Sequence, residues 1–90
     1  MSSVLPDGAT PRIAPLYRLQ FEPTQDTWVL LYPEGLVKLN GPASEILKRC
    51  DGKTSVADLT ADLERAFSQP GLRGDVDDFL ADAQARGWVV

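Results

Sequence analysis

Apolar and polar positions first alternate over residues 17–22, where Tyr17, Leu19 and Phe21 interleave with Arg18, Gln20 and Glu22. A period of two is that of a strand with one buried face. Pro23-Thr24-Gln25-Asp26 follows as a turn. In Thr27–Tyr32 both the Trp28/Leu30/Tyr32 set and the Val29/Leu31 pair are apolar, which predicts the central strand of a sheet. A Pro33-Glu34-Gly35 turn leads to a third run, Leu36–Asn40, in which Val37 and Leu39 alternate with Leu36, Lys38 and Asn40. The expected arrangement is a three-stranded antiparallel meander with the second strand in the middle.

The period then lengthens to that of helices. Pro42 suits a first helical position with Asn40 or Gly41 as cap, Ala43, Ile46, Leu47 and Cys50 form an i, i+3, i+4, i+7 stripe, and Gly52 is placed to stop the helix. Thr54 or Ser55 caps a second helix, and Ser55 with Asp58 fits a capping box. Its predicted buried stripe is Val56, Leu59, Leu63, Ala66 and Phe67, broken by Ser68–Gly74 with its Pro70-Gly71 pair. Asp75 is the expected cap of a third helix, with Val76, Phe79, Leu80 and Ala83 as its stripe. Gly87 ends that helix, and Trp88-Val89-Val90 is an apolar tail laid over the core. The order β-β-β-α-α-α, with every element amphipathic, predicts an α+β fold around one shared core.

Residues 1–16 are the exception. They carry Pro6, Pro11 and Pro15 and no periodicity, so they read as a Pro-rich N-terminal tail, flexible unless something holds it, ahead of a domain over residues 17–90. The segment has no apolar h-region and does not read as a signal peptide. No apolar run is long enough to span a bilayer, and the expected compartment is the cytoplasm.

Charge removes whole classes of function. The 90 residues carry a formal net charge of -4. That balance disfavours nucleic acid and an anionic membrane as partners, since both require a basic face. The chain has no histidine, hence neither the usual acid–base group near neutral pH nor the commonest metal ligand. Cys50 is the single cysteine. Without a histidine to activate it, and placed on the first helix's apolar stripe, it reads as a packing residue. Asp75, Asp77, Asp78 and Asp82 cluster at a helix start, where negative charge offsets the dipole, and they lack calcium-loop spacing. Gly41-Pro42 lacks the Gly-rich run and Lys-Ser/Thr of a phosphate loop. No catalytic, cofactor or metal site is expected. Trp28 and Trp88 read as core residues, while Lys38 is open to two roles, contact with a ligand or protection of a sheet edge.

That edge is the one feature left for function. If the second strand is central, the third exposes a row of unpaired backbone groups able to take an extended peptide as an extra strand. The same groups could pair with a second copy. An open edge beside an unpatterned terminus therefore predicts a homodimer through edge-strand or terminal-segment exchange. Edge pairing would compete with peptide, so the peptide-binding form is expected to be the monomer, or a dimer that leaves the third strand open.

The segments "RLQFEPTQDTWVLLYPEGLVKLN", "EIL", "CDG", "DVDDFL" and "RGWV", in this order and without large gaps over about residues 16–90, closely resemble the PqqD family of pyrroloquinoline quinone biosynthesis proteins. The resemblance implies a winged-helix-like fold and no catalysis. Members of this family are peptide chaperones, or RiPP recognition elements. They bind the ribosomal precursor peptide PqqA and present it to PqqE, a radical S-adenosylmethionine enzyme; the iron–sulfur clusters and S-adenosylmethionine belong to that partner. The resemblance further implies that peptide lies beside Leu36, Val37, Lys38, Leu39 and Asn40. The facing wall is then drawn from Val76, Phe79, Leu80, Ala83 and Arg86 of the third helix. The alternative reading, a winged-helix nucleic-acid binder or another protein-interaction domain, must contend with a recognition helix that begins in aspartates.

Overall fold

A computed structural model describes residues 5–90. Its order is β1 (Arg18–Glu22), β2 (Thr27–Tyr32), β3 (Gly35–Leu39), α1 (Gly41–Lys48), α2 (Val56–Phe67) and α3 (Arg73–Ala85). This is the expected α+β arrangement, and winged-helix-like describes it loosely. The sheet is antiparallel in the order β1-β2-β3, with β2 central. The register pairs Leu19 with Leu30 and Phe21 with Trp28 on one side, and Leu30 with Val37 and Trp28 with Leu39 on the other. Residues paired in register share a face, so these six look toward the helices. The opposite face carries Arg18, Gln20, Leu36 and Lys38, all exposed, and Val29 is buried between Gln20 and Lys38 in the register.

Leu30 meets Leu47, Leu59, Leu63, Val76, Leu80 and Val89 in a single core drawn from the sheet, all three helices and the C-terminal segment. Two N-termini are capped as anticipated. The Asn40 side chain accepts the Ala43 N–H at 2.8 Å, and Ser55 Oγ accepts the Asp58 N–H at 3.1 Å. Each satisfies one of the donors that a helix start leaves orphaned. Arg49 bridges α1 and α2, donating to Glu45 Oε1 at 2.9 Å and Asp62 Oδ2 at 2.6 Å. Hydrogen bonds from Lys48 and Arg49 hold the Glu45 carboxyl below its usual range.

Three expectations need correction. α3 starts at Arg73, and its N-cap, Leu72, has no side-chain capping bond, so Asp75 lies in the first turn and is not the cap. The Leu72 N–H is instead donated to Glu64 Oε2 at 3.0 Å. Ala66 and Phe67 are exposed, because α2 runs past the end of the core in its last turn. α1 ends at Lys48 with Arg49 as C-cap. Gly52, at φ +78°, lies in the following loop and does not stop that helix.

The N-terminal segment also differs from a free tail, from residue 5 on; residues 1–4 lie outside the described residues. Residues 5–14 form a strap that joins the start of α2, the start of α3 and the C-terminal segment. Ala9 and Asp7 carbonyls accept the Val56 and Ala57 N–H groups at 2.9 and 3.1 Å, supplying backbone caps to the first turn of α2. Arg12 exchanges both backbone bonds with Val90, at 3.1 and 2.9 Å, and Ala14 donates to the Trp88 carbonyl at 2.8 Å. Arg73 closes the other end through Asp7 at 2.6 Å and the Leu5 carbonyl at 3.0 Å. Within the strap itself, Pro11 and Ala14 are buried. Its contacts come from isolated bridges and carbonyls rather than a ladder, which is why the sequence carries no period there.

Cys50 sits in the core, with its thiol 3.3 Å from the Ile46 carbonyl. Burial, with a smaller contribution from the Asp51 charge, pushes its pKa up to about 12. The thiolate is the nucleophilic form, so the native thiol should resist Ellman's reagent at neutral pH and react fully once the chain is denatured. Cys50→Ala is expected to lower stability by about 1 kcal/mol, as for loss of a small buried group, and to leave ligand binding intact. Rapid labelling of the native protein would contradict the buried placement.

Candidate functional site

β3 has one strand partner among the described residues, β2, so its other side is an open edge. In an antiparallel pair the backbone groups alternate in direction. Every second residue of β3 therefore points its N–H and C=O out of the sheet, available to an incoming chain.

This edge borders a groove of about 720 Å³. One side is Val37, Lys38, Leu39 and Asn40, the floor is Pro42, Ala43 and Ile46 of α1, and the far wall is Asp75, Phe79, Asp82 and Arg86 of α3 with Trp88 beyond it. The wall has its own spacing, i, i+4, i+7 and i+11, which places those four side chains on one stripe of the helix. The core stripe, Val76, Leu80 and Ala83, lies beside it and is at most 1% exposed. Phe79, half-buried, sits at the boundary between the two.

The residues anticipated for peptide contact therefore divide into groups. Val37, Lys38, Leu39, Asn40, Phe79 and Arg86 line the groove. Val76, Leu80 and Ala83 do not; their side chains are spent in the core, and they support the wall from behind. Leu36, paired with Leu31 on the outer face of the sheet, offers the groove its edge position rather than its side chain. Missing from the expected set are Pro42, Ala43, Ile46, Asp75, Asp82 and Trp88. The i, i+4, i+7, i+11 spacing was the available signal for two of them, but three of its four members are charged and resemble a solvated face.

The wall is held in place by its own contacts. Arg86 Nε donates to Asp82 Oδ2 at 2.9 Å, and the guanidinium stands 5.4 Å from the Trp88 ring centroid. Trp88 is partly buried, packed against the core and lining the groove. The other tryptophan, Trp28, is packed edge-on by Phe21 at 5.4 Å, with Lys48 Nζ 4.6 Å from its ring. Asp77 is paired with Arg73 at 2.9 Å. Among the described residues no three carboxylate or cysteine groups come together as a metal cage, and no helix is long and apolar enough to cross a membrane. The groove combines unpaired backbone, apolar floor and a mixed-charge wall. Such an arrangement can take up an extended chain.

Residues 27–89 match the model of the family described as coenzyme PQQ synthesis protein D (PqqD). A PqqA binding protein of Pseudomonas paraeruginosa is 51% identical over 74 residues, covering 81% of this chain and 80% of its own length. A PqqA binding protein of Rahnella aquatilis is 44% identical over 81 residues, covering 89% of this chain and 85% of its own. Among solved structures, the solution NMR structure of the PqqD truncation of Methylobacterium extorquens PqqCD superposes with a TM-score of 0.74 at 26% identity, covering 89% of this chain and 87% of that one. That protein is described as a functional, stand-alone RiPP recognition element. The chain belongs to the coenzyme PQQ synthesis protein D (PqqD) family.

Proposed function

We propose that this protein carries a PqqA-type precursor peptide, bound as a fourth strand along β3 and against α3, and presents it to the radical S-adenosylmethionine enzyme PqqE. The observation that carries the reading is the open β3 edge facing the Phe79 stripe across an apolar floor. Main-chain bonds to β3 would supply affinity with little regard to sequence, while Phe79, Ile46 and Trp88 select side chains. The relatives named PqqA binding protein support the choice of ligand. Catalysis is left to the partner in this reading: the groove's Asp82 and Arg86 pair with one another, and its lining holds neither histidine nor cysteine. A homodimer by edge pairing would occupy the same backbone groups, so the binding form in this reading keeps β3 free.

An NMR titration of labelled protein with PqqA peptide tests the site directly. Amide shifts are expected over Leu36–Asn40 and along the Phe79–Arg86 side of α3. Shifts that spare β3 would refute strand addition. Duplex DNA in the same titration should leave the spectrum unchanged, because Asp75, Asp78 and Asp82 put negative charge on the helix that a winged-helix reader would turn to phosphate. Presentation is tested by the rate of PqqA modification by PqqE with and without this protein; equal rates would remove that part of the proposal.

A further inference from the structure

A second hollow, of about 360 Å³, lies beside the groove, between α1, the end of α2 and the start of α3. The two share Pro42, Ile46 and Asp75 and are therefore neighbours. Deeper in, the walls are Leu63, Phe67, Leu72 and Val76. Phe67 is the telling member: a large aromatic side chain, 48% exposed, at a concave apolar surface. Burial of such a ring by a ligand is favourable in proportion to the apolar area covered.

The hollow is also preformed. Ser68 adopts a left-handed conformation, φ 50°, to turn the chain out of α2. Gln69 N–H then bonds to the Glu64 carbonyl at 3.0 Å, while Glu64 Oε2 takes the Leu72 N–H at 3.0 Å. The loop that brings Phe67 and Leu72 together is thus tied at both ends to one residue of α2. A site shaped before binding loses less affinity to ordering.

Geometry also sends a bound chain toward it. β3 ends at Leu39, Asn40 caps α1, and Pro42 has no N–H to offer. A strand-paired peptide must leave the edge there. Pro42, which lines both the groove and the hollow, is the next surface beyond that end of the edge. We infer that the hollow is a subsite for one large apolar side chain of the bound peptide, aromatic or branched aliphatic, lying just outside the strand-paired segment. This inference rests on peptide addition at β3, and names where its side-chain selectivity resides.

The test measures PqqA peptide affinity by calorimetry and maps shifts by NMR for the wild type, Phe67→Ala and Gln69→Trp. Phe67 and Gln69 are exposed, so both variants should fold, and thermal unfolding checks that they do. In the wild type, Phe67 and Leu72 amides should shift together with Leu36–Asn40. Phe67→Ala should weaken binding about tenfold, the loss expected for uncovering one large apolar side chain, and Gln69→Trp, which crowds the mouth, should weaken it as well. An alanine scan of the peptide should find one apolar position whose replacement costs about tenfold with the wild type and almost nothing with Phe67→Ala. If both variants bind like the wild type while β3 amides still shift, the subsite is refuted and strand addition stands. Absence of β3 shifts in the wild type would overturn both.

Discussion

Leu80→Ala is expected to destabilise the fold by about 3 kcal/mol, while Phe79→Ala, one position away, should act mainly on peptide binding. Leu80 is 1% exposed and packed among residues of the sheet and helices. Truncating a leucine in such a site removes its transfer energy and leaves a cavity the neighbours only partly fill, for about 2–5 kcal/mol. A domain of this size has a total stability of only about 5–13 kcal/mol, so the variant should unfold at much lower urea concentration. Phe79 is half-buried on the groove stripe, and its loss should cost about 1 kcal/mol of stability but about tenfold or more in peptide affinity. Urea denaturation and calorimetry on the two variants separate the roles. A Phe79→Ala protein that binds peptide normally would remove α3 from the site, and a Leu80→Ala protein as stable as wild type would contradict the core assignment.

The contrast between these neighbours shows what the sequence could and could not convey. A strong apolar period reports burial: it located β1, β2, β3 and most of the core-facing stripes of α1 and α3, although Cys50 lies past the end of α1 and Phe79 on the groove side of α3. Cap chemistry did the same for Asn40 and Ser55, because a capping side chain must sit at a fixed offset from the N–H it accepts. The groove wall left a weaker trace. A site that remains open to a ligand is built from residues compatible with water, so Asp75, Asp82 and Arg86 carry the marks of an ordinary solvated face. Val76 and Ala83 share a helix with that wall, and their apolarity drew the expected site toward the core. Phe67 misled in the opposite sense: it continues the α2 stripe by spacing, but the core ends a turn earlier.

The strap was the least legible element, and its removal should have a large effect. A chain beginning at Pro15 loses the carbonyls of Asp7 and Ala9 that cap α2, the two Arg12–Val90 backbone bonds, the Ile13–Val89 bridge and the burial of Pro11 and Ala14. Each lost bond to a helix-end or C-terminal N–H contributes about 1 kcal/mol. The entropy that the full chain loses in ordering about ten strap residues offsets most of the gross contact energy. The expected net loss is about 3 kcal/mol, or roughly 10–20 °C in Tm for a domain of this length. The Arg73–Asp7 pair is largely exposed, with side chains 32% and 78% accessible, so Asp7→Ala alone should change stability by less than about 1 kcal/mol. Gly52 supplies an internal control. A Cβ there would lie 3.3 Å from Arg12 Cβ, at a φ of +78° that already disfavours any side chain. Gly52→Ala should therefore destabilise the full chain more than the truncated one, in which the Arg12 contact is absent and only the backbone strain remains. Equal effects in the two backgrounds, or a truncated chain as stable as the full one, would show that the strap does not pack as described. Varying protein concentration adds the remaining distinction: a strap bound to its own chain gives a Tm independent of concentration, whereas exchange between copies makes Tm rise with it.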